Sequence, residues 1–229
     1  MMPRTIALIA SLACPLVPAG AMDVRVAGNQ LVMGGGVSGD EIAKMRDTLP
    51  RNPQVDTVIL QDSRGGDVWT AMRLGELFRE KGYRTAVSGH CMSACVIIFL
   101  GGRERHFADG KPGNLTFLAV HTPTFSSDGI RDFKGSPSRG TRGRIFDWMS
   151  ERIGTRGDLA LLERGLANDD PKGLLYFFDA ARSTRRDGVT VFQCQGAEKR
   201  KVADCEPVPG KSALQSGLIT SETIVQVNR

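Results

Sequence analysis

Thr85-Ala86-Val87-Ser88-Gly89-His90-Cys91-Met92-Ser93-Ala94-Cys95-Val96-Ile97-Ile98-Phe99-Leu100-Gly101-Gly102 changes character halfway along. Thr85 to Ser88 reads as a short strand. Ser93 to Leu100 is almost wholly apolar and reads as a short buried helix, stopped by the glycine pair. Upstream, Val55 to Leu60 is a β-branched run bounded by Asn52-Pro53 and Asp62-Ser63, another strand. From Asp67 to Lys81 the apolar residues Val68, Ala71, Met72, Gly75 and Phe78 recur at helical spacing, and Gly82 closes that helix. Downstream, Leu115 to Val120 is a third strand ending at His121. Strand, helix, strand, helix, strand with short links predicts βαβ units, a mostly parallel sheet and an α/β fold. Ligand sites in such sheets lie beyond the carboxyl ends of the strands. Gly65-Gly66, Ser93 and His121 all follow strand ends, so the pattern gathers them on one edge.

The remainder is less regular. Residues 124–144 are rich in Gly, Ser and Arg and read as a long loop. Ile145–Ile153 and Asp158–Leu166 read as helices, with a break at Asn168-Asp169-Asp170-Pro171. Leu174–Phe178 fits a strand or a short helix. The stretch bracketed by Cys194 and Cys205 reads as an inserted hairpin. Ser212–Leu218 reads as a last helical turn and Thr223–Val227 as a terminal strand.

Of 229 residues, 41% are hydrophobic and 24% charged, which excludes a disordered chain, a collagen-like fibre and a multi-span membrane protein. The net charge of +5 comes without Lys/Arg runs interleaved with aromatics, so no nucleic-acid partner is expected. Residues 1–21 read as a secretory signal: Arg4, an apolar run from Ile6, then Ala19-Gly20-Ala21 with cleavage before Met22. A lipoprotein reading through Cys14 is disfavoured by Ser11 and Pro15. The mature chain, residues 22–229, is expected to be one domain in the periplasm or secreted. It carries a loop insertion at about 124–144 and a Cys-bracketed insertion at about 190–210. Export leaves Cys91, Cys95, Cys194 and Cys205, an even number that suggests disulfides in one of three connectivities. Local pairing, Cys91–Cys95 and Cys194–Cys205, is preferred, and the first bridge requires Cys91 to precede the helix. Zinc held by His90, Cys91 and Cys95 is the rival, but paired C-x2-C ligands are missing, so no metal and no cofactor are expected.

Each candidate site residue has a plain structural reading and a chemical one. Ser93, flanked by small residues at a strand-to-helix turn, is either an N-cap or a nucleophile. Gly65-Gly66 is either a turn needing positive φ or a place where backbone N–H approaches a ligand. His121 is either a hydrogen-bonded structural histidine or a general base.

Taken in order, Gly-Gly, a serine 27 residues after Gly66 and a histidine 28 residues after Ser93 resemble the Clp protease proteolytic subunit family, within the ClpP/crotonase superfamily. The resemblance runs from Val55 to Pro123 and resumes weakly at Ser212–Ile219. It is closer still to exported Clp-protease-like bacterial proteins with serine in a Cys-x-Ser-Ala-Cys setting. It implies a ClpP/crotonase-like parallel sheet of repeated ββα/βαβ units with flanking helices. It implies Ser93 as nucleophile, His121 as base, the N–H groups of Gly66 and Ala94 as oxyanion hole, and an acid after the histidine, Asp170 or else Asp169. The cysteines around the serine depart from the cytoplasmic enzymes, and export removes any ATPase partner.

The function implied is an exported serine peptidase acting on peptide or protein substrates, with a homo-oligomer as an option. The alternative is a catalytically silent scaffold of the cell envelope on the same fold. An acyl-CoA enzyme is disfavoured by export. A Ser/Lys dyad through Lys111 or Lys134 is placed by no motif.

Overall fold

The computed structural model describes residues 21–123, 139–167, 173–182, 188–198 and 201–228. Residues 1–20 of the signal expected over 1–21 lie outside these, as do Asp169 and Asp170. A hairpin that the sequence reading passed over comes first. Strand β1 (Asp23–Ala27) runs antiparallel to β2 (Gln30–Val37), joined at Gly28 with φ +61. Helix α1 (Glu41–Thr48) follows.

The predicted βαβ unit is present. Strand β3 (Thr57–Gly66) lies parallel to β2 and reaches through the glycine pair. Helix α2 (Val68–Glu80) starts at Asp67, whose side chain accepts from the Thr70 N–H, and gives way to Gly82 with φ +73. Strand β4 (Arg84–Met92) lies parallel to β3. Helix α3 (Ala94–Leu100) follows, every residue buried. Strand β4 is long enough to take two parallel partners on one side. Its first half pairs with β5 (Arg105–Phe107) and its last three residues with β6 (Phe117–Val120). Leu115, expected to begin a strand, instead ends a 3-10 turn (Gly113–Leu115) before β6.

Helices α4 (Arg139–Ile153) and α5 (Leu159–Leu166) come next. The expected loop over 124–144 is therefore corrected at its end, because residues 139–144 are helical. Arginine is a good helix former, and the Arg144 guanidinium sits 5.2 Å from the Trp69 ring centre, which holds that turn to α2. Residues 124–138 lie outside the described residues. Leu174–Phe178 is a strand, β7, fully buried. Strands β8 (Val191–Cys194) and β9 (Glu206–Pro207) pair antiparallel across the Cys-bracketed stretch. Ser212–Leu218 forms hydrogen-bonded turns rather than a helix, with Gly217 at φ +73 ending them. Thr223–Val227 contributes a single bridge, Val225 with Ala108, in place of the expected strand.

The sheet order is β1-β2-β3-β4-β6-β7-β8-β9, with β5 also on β4. Its centre, β2 to β6, is parallel, and its flanks are antiparallel. The sheet is thus mixed rather than mostly parallel. Helices α2 and α3 pack on one face so closely that a Cβ on Gly101 would overlap the Gly75 backbone. The indole of Trp148 from α4 covers Gly75 from the other side. The opposite face carries an aromatic cluster of Phe117, Tyr176, Phe178 and Phe192.

Candidate active site

The site forms where β3, β4 and β6 end together. Met92 of β4 is level with Ala119 of β6, so Ser93 is level with Val120 and His121 stands one residue further along the adjacent strand. The Ser93 N–H donates to the Ala119 carbonyl at 2.9 Å, which fixes the turn to β6.

Ser93 adopts φ 56, ψ −126. A non-glycine residue is rarely found there, and such positions cost about 1–3 kcal/mol and cluster at functional sites. The N-cap reading fails, because the Ser93 side chain makes no capping hydrogen bond to α3. A sharp strand-to-helix turn of this kind lifts the hydroxyl clear of the sheet edge. The turn is stapled: Cys91 on β4 and Cys95 in the first turn of α3 form a disulfide with Cα atoms 5.3 Å apart. Cys91 does precede the helix, as that pairing requires, and the sulfurs a zinc ion would need are bonded to each other. Cys194 and Cys205 form the second disulfide.

Two glycines let β3 reach this turn. A Cβ on Gly65 (φ +87) would lie 2.6 Å from the Met92 carbonyl, 2.7 Å from the Ala94 nitrogen and 2.8 Å from the Ser93 Cβ. Only glycine admits that approach. Gly66 pairs with Val37 of β2, and a Cβ there would overlap the Val37 carbonyl. The Asp67 N–H donates to that carbonyl at 2.9 Å. In a parallel ladder the residue before such a donor turns its own N–H the other way, so the Gly66 N–H faces the β4 side, where Ser93 lies.

His121 is half-buried, and its Nδ1 lies 2.6 Å from the Thr122 carbonyl oxygen. A carbonyl can only accept, so Nδ1 carries the ring hydrogen and Nε2 is the basic nitrogen of the neutral ring. The Thr122 hydroxyl donates to the Leu166 carbonyl at 2.9 Å, which ties this segment to the end of α5. Ser93, Ala94 and His121 line one cavity with Val96, Ile145 and Met149. It measures about 20 Å³, room for one water. Its remaining lining, Val68, Ile97, Val120, Pro123 and Leu166, is apolar. A much larger groove of about 790 Å³ between α1 and α2 contains none of the candidate residues.

Sequence reading missed the Thr122 carbonyl and the role of Gly65, both of them backbone contacts without a side-chain signature. It also weighed His90 and Lys111, which the structure sends elsewhere. The His90 ring stacks on Phe117 on the face away from α3 and meets Asp62 at 3.2 Å. Lys111 pairs with the other Asp62 oxygen at 3.0 Å. Burial pushes the His90 pKa down, Asp62 opposing it, so the ring is neutral at pH 7. Among the described residues no group of His, Cys, Asp or Glu side chains is arranged to hold a metal ion, and no helix is long and apolar enough to cross a membrane.

No family model matches the chain, and no curated protein matches it. Among solved structures it is similar to ClpP1 from Listeria monocytogenes, at 12% identity over 88% of this chain and 92% of that one, with a TM-score of 0.49. It is also similar to a membrane-bound stomatin-specific protease, at 11% identity over 87% of this chain and 78% of that one, with a TM-score of 0.48.

Proposed function

We propose that this protein is an exported serine peptidase in which Ser93 is the nucleophile and His121 the general base. The observation that carries the reading is the backbone of Ser93. A serine held at φ 56, ψ −126 does not cap its helix with its side chain, so a cap does not account for the conformation. A nucleophile would, because Ser93 and His121 line the same cavity. A serine hydroxyl is a weak nucleophile until a base takes its proton. His121 supplies Nε2 for that, with Nδ1 held by the Thr122 carbonyl. The attacked carbonyl becomes an oxyanion, and the N–H groups of Ala94 and Gly66 are the donors that would receive it. Asp170, the acid implied by the resemblance, lies outside the described residues.

The cavity beside Ser93 is small and mostly apolar, so the side chain preceding the scissile bond is a small one, and Ile145 and Met149 bound it. Two disulfides fit folding in an oxidising compartment, the periplasm or the exterior.

The test is reaction with a fluorophosphonate probe. Oxidised mature protein is expected to label at one serine. Ser93→Ala abolishes labelling, and His121→Ala slows it by 10³-fold or more. Absence of labelling in folded, oxidised wild type would overturn the reading and favour the silent scaffold.

A further inference from the structure

Glu41 is the one acidic residue among the described ones that is completely buried, and it has no cation within ion-pair distance there. Its carboxylate is held by donors instead. Oε1 accepts from the Met22 N–H at 3.1 Å, the Ser38 N–H at 3.1 Å and the Ser38 hydroxyl at 3.0 Å. Oε2 accepts from the Ser38 N–H at 3.2 Å and the Gly39 N–H at 2.8 Å. Burial pushes this carboxyl up. The N–H groups of Gly39, Glu41 itself, Ser38 and Met22 outweigh burial and hold it below the usual carboxylate range. The group is therefore an anion inside the protein, and Lys44, three residues further along α1, spends its ammonium on the Met22 carbonyl at 2.8 Å.

Met22 is gripped at every point. Its side chain is fully buried in the core, its carbonyl is taken by Lys44, and its nitrogen points at Glu41. Met22 is also the residue that follows Ala19-Gly20-Ala21, the small-residue pattern that exporting peptidases cleave. We propose that the Ala21–Met22 bond is the processing site and that the Met22 α-ammonium released there is the counter-ion of Glu41. Water adds to the Ala21 carbonyl and the C–N bond breaks. Ala21 leaves as a carboxylate, and the Met22 nitrogen takes up protons to become an ammonium. One amide donor on Oε1 becomes a charged group with three donors, facing a buried carboxylate. A buried carboxylate gains far more from such a partner than an exposed one does, and charge-assisted hydrogen bonds are about twice as strong as neutral ones.

The same carboxylate clasps Ser38 and Gly39, the residues directly after Val37, on which Gly66 rests. Processing thus fastens the end of β2 against the strand end that the proposed oxyanion glycine belongs to. The last step rests on the peptidase reading; the Met22–Glu41 pair does not.

Two measurements test the pair without using activity. The full chain is exported with its own leader and its first residue read by intact mass; Met22 is expected, and any other first residue overturns the proposal. The mature chain is then compared in three forms: beginning at Met22, beginning with three extra residues ahead of Met22, and beginning at Nα-acetylated Met22. The free Met22 form is expected to melt about 3 °C or more above both others. In Glu41→Gln, the free and extended forms are expected to melt together. Equal melting of all three wild-type forms, or a gap that survives in Glu41→Gln, overturns the proposal. Should Glu41→Gln fail to fold, the acetylated form decides alone, because it removes the charge without touching the carboxylate.

Discussion

Ser93, Gly65 and Gly66 form a mutually dependent set. Gly65→Ala puts a methyl group against three atoms of the Ser93 turn, at a φ of +87 that alanine resists. It is expected to abolish probe labelling while the far-ultraviolet circular dichroism stays folded. Gly66→Ala meets the Val37 carbonyl instead. It moves one proposed oxyanion donor and should lower labelling by 10²–10³-fold. The need for an acid as a third member of the proposed site separates by the same assay. If the Thr122 carbonyl suffices to hold His121 in its tautomer, Asp170→Asn slows labelling less than tenfold. Where an acid is essential, such a change costs about 10⁴. The expectation is the smaller effect, because the Nδ1 contact is already made at 2.6 Å.

Glu41 has a pH signature that follows from its direction of shift. Its folded pKa lies below the ordinary glutamate value of 4.5. The stability it contributes is therefore fully present above that value and lost as pH falls through the lower folded one. Wild type should be more stable than Glu41→Gln at pH 7. The difference should shrink steadily in urea melts taken below pH 4.5. A gap that grows in acid would be the wrong sign.

At the scale of elements, the α2–α3 crossing is set by glycine. Gly75→Ala would drive a methyl into the Trp148 indole and against the Ile97 carbonyl, 2.8 and 3.1 Å from the new Cβ. Overpacking of this kind costs about 1–3 kcal/mol, and because α4 bears Ile145 and Met149 it should also shift substrate preference at the cavity. The β3-α2-β4-α3 unit was legible because its apolar periods switch from 2 to 3.6 at Asp67 and its helices stop at their glycines, although β3 runs past Asp62-Ser63 to Gly66 and β4 past Ser88 to Met92 through pairing with neighbouring strands. The N-terminal hairpin was not. Strand β2, Gln30-Leu31-Val32-Met33-Gly34-Gly35-Gly36-Val37, ends in three glycines that carry no strand preference of their own. What holds them is pairing with β3 some thirty residues away, which local pattern cannot show. The first turn of α4 was hidden the same way, since Gly140 and Gly143 argue for loop while contact with α2 makes helix. Among the candidate residues, order along the chain picked out Ser93, His121 and the glycine pair, which the fold brings to one sheet edge. It could not find the Thr122 carbonyl, because a backbone acceptor has no spelling.

Across the whole molecule, ends far apart in sequence are knitted together. Arg105 on β5 is buried, and its guanidinium donates to the carbonyls of Leu218 at 2.8 Å, Gly217 at 2.9 Å and Gly102 at 3.2 Å. Burial and the nearby Arg79 charge pull its pKa down to about 10, so it still carries its charge at neutral pH. Arg105→Met leaves two buried carbonyls and one half-buried carbonyl short of a donor and should cost about 3 kcal/mol in chemical denaturation. The C-terminal segment also closes on the N-terminal hairpin, where the Asn228 N–H donates to the Gln30 side chain at 2.8 Å. The second disulfide spans 11 residues beside β8. On chain-entropy grounds, Cys194→Ser with Cys205→Ser should lose about 3 kcal/mol and leave the Ser93 turn untouched.

The first disulfide does something else, because its loop encloses Ser93, the proposed nucleophile. On the proposed reading of an exported peptidase, a chain made in a reducing cytosol would have free thiols at Cys91 and Cys95, and nothing covalent would hold Ser93 in a conformation that its own backbone disfavours. Oxidation after export would then close the clasp. A cell that makes a peptidase among its own proteins needs it inert at the ribosome and armed only at its destination. A bond that survives in one compartment and not the other meets that need without an inhibitor, a propeptide or a partner: the address is the safety catch.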